Sequence, residues 1–279
     1  MSPEPDVPAH RTISFLSDYG LQDEFVGVVK AVIRSIAPDV TVLDITHEVP
    51  AHDIRAGALT LARSIQYLPA GIVLAVVDPG VGSARRAVAV EVGGDGETDR
   101  AVLIGPDNGL LAPAVAMSGG ARRAVALTNA EYQLDAPGPT FAGRDIFAPA
   151  AAYLCQGVEL DELGDPVDPY TLLPGIIPLS HEEDGGVVGE VLWVDRFGNV
   201  QLNVAPEEVD TMGDRVLVKF GTKSRLALRA GSYSELKTGQ LGLLVDSYGL
   251  LSLALDRSPA SEELRLGPGD AVTLQPASE

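Results

Sequence analysis

Two segments hold residues whose types and spacing could do chemistry. Val76-Val77-Asp78-Pro79-Gly80-Val81-Gly82-Ser83-Ala84-Arg85-Arg86 sets a carboxylate at the end of an apolar run, with an arginine seven residues on across a glycine loop. A carboxylate can orient and polarise a water, and a guanidinium can fix that carboxylate through charge-assisted hydrogen bonds. The second segment is Pro139-Thr140-Phe141-Ala142-Gly143-Arg144-Asp145-Ile146-Phe147, with the small residues and charged pair of a chain lining a pocket. Each has a plainer reading. Asp78 and Arg85 could be a salt bridge that closes the loop, and Arg144 and Asp145 read better as a structural pair at a helix start. Asp18, in Ser17-Asp18-Tyr19-Gly20, stands at a strand end, where α/β sheets bind ligands; its plainer role is a turn or cap.

The elements that must position these residues follow from hydrophobic periodicity. Ile13 to Leu16 reads as a short buried strand, Val42 to Ile45 as another strand, and Ile72 to Val77 as a third, β-branched and apolar throughout, as in a sheet covered on both faces. Between them, Phe25, Val28, Val29, Val32, Ile33 and Ile36 form one apolar stripe, and Ile54, Ala58, Leu61, Ala62 and Ile65 another, with Asp53 placed to cap the second helix. Ala101 to Ile104 and Ala124 to Leu127 predict further strands, and Ile146 to Leu154 a helix. This alternation predicts an α/β domain with a largely parallel sheet over residues 12–178. Asp165 to Gly186, rich in proline, glycine and acid, reads as a linker. Beyond it the helical period vanishes and short strands between turns predict a smaller all-β, barrel-like domain over 186–279, with Trp193 in its core. The Asp78 glycine loop is followed by the alternating Arg86 to Val92. A nucleotide-binding glycine fingerprint must open a helix, so that reading is set aside.

Bulk properties exclude several classes. The chain of 279 residues is 46% hydrophobic and 21% charged, as a globular protein is. Its net charge of −19 argues against a sequence-independent grip on nucleic acid or anionic membrane. One cysteine, Cys155, permits no internal disulfide and no Cys-rich metal site. The start Met-Ser-Pro-Glu-Pro lacks a signal-peptide pattern and no apolar run could span a bilayer, so a cytoplasmic location is expected.

Six ordered motifs carry a resemblance. Ser17-Asp18-Tyr19-Gly20, Asp44-Ile45-Thr46-His47, Val77-Asp78-Pro79-Gly80-Val81-Gly82, Gly105-Pro106-Asp107-Asn108-Gly109-Leu110-Leu111, Thr140-Phe141-Ala142-Gly143-Arg144-Asp145 and Asp195-Arg196-Phe197-Gly198-Asn199-Val200 occur in the order found in one family. Over about residues 12 to 275 the chain resembles the S-adenosyl-L-methionine (SAM) hydroxide adenosyltransferases, hydrolases that split SAM into adenosine and methionine. Their relatives are the bacterial chlorinase and fluorinase. The resemblance implies a homotrimer with active sites between neighbouring subunits, SAM as substrate, and neither cofactor nor metal.

It further implies that Asp78 holds the attacking water and Arg85 keeps its charge and rotamer. Asp18 would hold the ribose hydroxyls, Asp195 the methionine amine and Asn199 the adenine edge. Ser247, with Tyr248 beside it, would meet the methionine carboxylate. Tyr233 would offer adenine an aromatic face, and His52 stands where relatives carry a large aromatic over the ribose. Asp107-Asn108-Gly109 is itself a turn signal, read as scaffold near the pocket, with Asn108 a lesser ligand candidate. The family pattern has histidine where this chain has Ala142, as a natural variant or an engineered replacement. Loss of that imidazole implies impaired turnover. The halogenating relatives carry tyrosine at the positions of Asp78 and Ala142, so Asp78 sides with the hydrolases. The alternatives are a non-catalytic binder of SAM or adenosine and a SAM-dependent halogenase.

Overall fold

The computed structural model describes residues 10–93 and 101–277. It divides into two units, Met1–Ile176 and Ile177–Glu279. In the first, the apolar runs become β1 (Thr12–Ser17), β2 (Thr41–Thr46) and β3 (Ile72–Val76), joined by α1 (Phe25–Ile36) and α2 (Ile54–Ile65). Asp53 caps α2 as its position predicts, its Oδ1 accepting from the Ala56 amide at 2.8 Å. The chain continues through β4 (Ala87–Val92), β5 (Ala101–Pro106), α3 (Ala112–Met117), β6 (Ala121–Ala126), a π-helical turn (Gly143–Phe147), α4 (Ala148–Cys155) and β7 (Asp165–Val167).

The sheet order is β2-β1-β3-β5-β4-β6-β7. β2, β1, β3, β5 and β6 run one way and β4 and β7 the other, so the sheet is largely parallel. From β1 the chain moves outward to β2, then crosses back over β1 to form β3. The carboxyl ends of β1 and β3 are therefore a topological switch point, where open α/β sheets form a ligand crevice. Ile13 and Phe15 of β1 pack with Val29 and Ile33 of α1 and with Phe147 and Ala151 in one core. Cys155 is buried in it, and burial pushes its thiol up to about 12.

Beyond β8 (His181–Glu183), the second unit contains β9 (Gly186–Val194), β10 (Val200–Leu202), β11 (Arg215–Phe220), β12 (Lys223–Arg229), β13 (Leu241–Val245), β14 (Leu251–Ala254), the short α5 (Ala260–Leu264) and β15 (Ala271–Pro276). Pairing runs β9-β10-β14-β13-β12-β11-β15 and returns to β9, which closes a seven-stranded barrel. Val191, Val200, Val218, Leu243, Leu253 and Leu274 fill it.

Some elements escape the periodicity reading. α3 is a single turn and a half between Pro113 and Gly119-Gly120, too short to show a stripe. β7 and β8 lie inside the expected linker; β7 tolerates Pro166 because it is the sheet edge. Trp193 lies in β9 as expected, but it is half-buried and stands outside the barrel core rather than in it. No described helix is long and apolar enough to cross a membrane.

Candidate active site

The switch point brings Asp18 and Asp78 together from 60 residues apart in sequence. Ser17 pairs with Val76 across β1 and β3, and the Asp18 amide donates to the Val76 carbonyl at 3.3 Å. Asn108 pins the same corner: its Nδ2 donates to the Val77 carbonyl at 2.9 Å, and its Oδ1 accepts from the Leu110 amide at 3.1 Å. That is the scaffold role its motif predicts.

Beyond Val77, the glycine loop folds Arg85 back onto Asp78. Arg85 Nε donates to both carboxylate oxygens at 2.9 Å, and its terminal nitrogen reaches Oδ2 as well. The side chains are 14% and 6% exposed, so this is a fork-on-carboxylate pair largely shielded from water. Oδ2 takes two of these donors, while Oδ1 takes one and keeps acceptor capacity for another. The guanidinium lies 5.3 Å from the Phe147 ring centroid, a cation–π contact that holds it from behind.

Phe147 comes from the π-helical turn that follows Ala142. There the Ala148 amide donates to the Gly143 carbonyl five residues back, one residue further than in an α-helix, which widens the turn. Such widened turns recur at functional sites because they re-aim the side chains around them. Ala142 is 6% exposed, and it and Arg85 line one cavity of about 750 Å³. Arg144 and Asp145 pair with each other, with Asp145 buried, as the structural reading expects.

Tyr19 and Phe147 are site residues that sequence reasoning does not single out. Tyr19 packs against Phe25 and Phe141, with centroids at 5.6 and 5.7 Å. Burial pushes its phenol well above the ordinary range, Asp18, Asp78 and Asp145 push the same way, and Arg85 opposes them. At neutral pH the phenol is therefore a donor. Its hydroxyl occupies the space beside Gly143, where an added Cβ would lie 2.2 Å from it. Gly143→Ala is expected to cost about 1–3 kcal/mol through that overlap. Chemical denaturation would measure the loss, and adding Tyr19→Phe should recover part of it.

Asp18 Oδ2 accepts from the main-chain amide of His52 at 2.9 Å. His52 thus meets the site through its backbone, held at φ 68°, with its residue exposed. Asp18 Oδ1 remains for a ligand.

In the barrel unit, Asp195 organises the turn between β9 and β10. Its Oδ1 accepts from the amides of Phe197 and Asn199 at 2.9 and 2.8 Å, and its Oδ2 from Asn199 Nδ2 at 2.8 Å. Asn199 Nδ2 also stands 3.5 Å from the Tyr233 hydroxyl. Asp195, Asn199 and Tyr233 line a cavity of about 690 Å³ with Phe197, Arg257 and Pro259. Ser247 and Tyr248 lie in the turn between β13 and β14, where Asp246 repeats the device: its Oδ1 accepts from the amides of Tyr248 and Leu250 at 2.8 and 3.1 Å. They are not among the residues lining the Asp195 cavity. Among the described residues, no three His, Cys, Asp or Glu side chains cluster in a way that could hold a metal ion.

The chain thus joins an α/β unit, with a clamped carboxylate at its switch point, to a closed barrel carrying a cavity at the Asp195 turn. Residues 13–164 match the model of the SAM hydroxide adenosyltransferase N-terminal domain, and residues 189–273 that of the C-terminal domain. The chain is 43% identical over 262 residues to the (R)-S-adenosyl-L-methionine hydrolase of Salinispora tropica, covering 94% of this chain and 97% of that one. The Thermus thermophilus protein of the same name is 41% identical over 272 residues, covering 95% and 99%. A solved structure of a conserved protein from Thermotoga maritima matches with a TM-score of 0.85 at 34% identity, covering 94% and 99% of the two chains. The chain belongs to the SAM hydroxide adenosyltransferase family.

Proposed function

We propose that this protein hydrolyses SAM to adenosine and L-methionine by in-line attack of water on ribose C5′. The new bond joins the water oxygen to C5′, the C5′–S bond breaks, and its electron pair leaves with sulfur. The departing thioether is neutral and needs no protonation; the water gives up one proton. The demand on the protein is to hold a weak nucleophile in line, and fixing such geometry can supply several kcal/mol. The observation that carries this reading is the Asp78 carboxylate, locked by the Arg85 fork beside Asp18 at the switch point. Asp78 orients and polarises the water, and Asp18 holds the ribose hydroxyls. A carboxylate at this place would repel an incoming halide, which disfavours halogenation.

Asp195, Asn199 and Tyr233 receive the methionine amine and the adenine, with Ser247 and Tyr248 toward the methionine carboxylate. The candidate groups are divided between the two units, which fits a homotrimer whose sites form between neighbouring subunits. The curated relatives are named for the (R) epimer, and we assign the same substrate here. Ala142 leaves the site without the family's imidazole, so turnover is slow while binding persists.

The test is product analysis with purified protein and SAM in ¹⁸O-labelled water. Equimolar adenosine and methionine, with the label in the 5′-hydroxyl, are expected. Tight binding with no methionine released over days would replace this reading with that of a binder, and 5′-chloro-5′-deoxyadenosine formed in added chloride would replace it with a halogenase.

A further inference from the structure

Behind the Ser17–Gly20 turn lies a polar chain, buried at Ser17 and His47 and open to solvent at Asp44 and Lys30, that the hydrolysis steps do not use. Ser17 is 0% and His47 4% exposed. Ser17 Oγ lies 2.8 Å from His47 Nδ1, His47 Nε2 lies 3.2 Å from Asp44 Oδ1, and Lys30 Nζ lies 2.6 Å from Asp44 Oδ2. The imidazole meets Phe15 edge-on, with centroids 4.6 Å apart. Burial pushes the Asp44 carboxyl up, but hydrogen bonds from Lys30 and His47 outweigh it and hold the group below its ordinary range.

The direction of each bond follows from what the groups can give. An ionised carboxylate only accepts and would repel a nitrogen lone pair, so the imidazole proton sits on Nε2, facing Asp44. The Nε2 contact is off ideal alignment, so its hold is electrostatic more than directional. Nδ1 is then an acceptor, and the Ser17 hydroxyl must donate to it. A Ser17 lone pair is left to accept the Tyr19 amide at 3.4 Å. The main-chain carbonyl of the same histidine accepts the Gly20 amide at 2.8 Å. Ring and backbone of His47 therefore hold the two ends of the turn that presents Asp18.

We propose that His47 is a positioning residue: with Ser17 and Asp44 it sets the Ser17–Gly20 turn, and through it the reach of the Asp18 carboxylate to the ribose. This rests on the reading that Asp18 meets the nucleoside. A displacement of about 1 Å at such a group can cost about 10²-fold in rate.

The test is a double-mutant cycle on the full chain, with kcat, KM and melting temperature measured for each variant. His47→Leu should lower kcat/KM by about 10–10²-fold. In an Asp18→Ala background it should lower kcat/KM no further, while its effect on melting temperature persists. His47→Asn, whose amide oxygen falls near the Nδ1 position, should restore part of the rate. Equal fold-losses in the two backgrounds would overturn the proposal, as would full activity in His47→Leu. Should His47→Leu not fold, Ser17→Ala carries the same cycle. A wild-type chain that forms no adenosine even with Ala142→His defeats the hydrolase reading instead. The cycle is then read in adenosine affinity by calorimetry, with the same pattern expected and equal losses again overturning the proposal.

Discussion

Ala142→His is expected to raise the rate of adenosine formation by about 10–10³-fold, the range a positioned acid–base group contributes. SAM affinity should change far less. Ala142 lines a cavity of about 750 Å³ together with Arg85, so an imidazole has room to enter beside the guanidinium–carboxylate pair. Ala142 has right-handed helical backbone (φ −57°, ψ −27°), which histidine adopts without strain. Single-turnover measurement with chromatographic separation of adenosine reads the chemical step, and calorimetry reads binding. An unchanged rate would mean that Ala142 lies outside the reacting centre. A rise confined to affinity would make the position a binding determinant.

Arg85→Ala is expected to be worse than a lost contact, because it strands the Asp78 carboxylate where only 6% of that side chain meets solvent. Breaking a shielded pair by removing one partner costs about 3–5 kcal/mol, and the partial exposure of Arg85 places this case at the low end. Denaturant unfolding should therefore show a loss of about 3 kcal/mol. Arg85→Lys separates charge from geometry. It keeps the positive charge but loses the fork and the planar contact with Phe147, so stability should hold better while kcat falls by about 10²-fold. Wild-type kcat in Arg85→Lys would show that the pair only closes the loop.

The two outcomes bear on how much of this molecule its sequence discloses. Periodicity locates β1, α1, β2, α2 and β3, because short apolar runs and helical stripes are local patterns. The Asp78–Arg85 pair is legible for the same reason: seven residues across a glycine loop is a local distance. Contacts that join remote segments leave no such trace. Phe147 backs Arg85 from 62 residues away, the Tyr19 hydroxyl fills the space beside Gly143, and His47 reaches Ser17 across 30 residues. A sequence shows that these residues exist, but the pairing of β1 with β2 and β3, and the packing of the Gly143–Phe147 turn on α1, make them neighbours. His52 shows the converse. Its sequence reading looks to the ring, but the group it gives Asp18 is its main-chain amide.

The return of β15 to β9 has a consequence for handling the protein. A sheet that joins its own first and last strands offers no free rim for another chain to extend by strand addition. The remaining short strand of that unit, β8, reads His-Glu-Glu and is exposed, so charge guards its rim against an added strand. Partly unfolded material is therefore expected to clump through the α/β half, whose β2 and β7 margins are open, and stabilising changes made to limit clumping belong there.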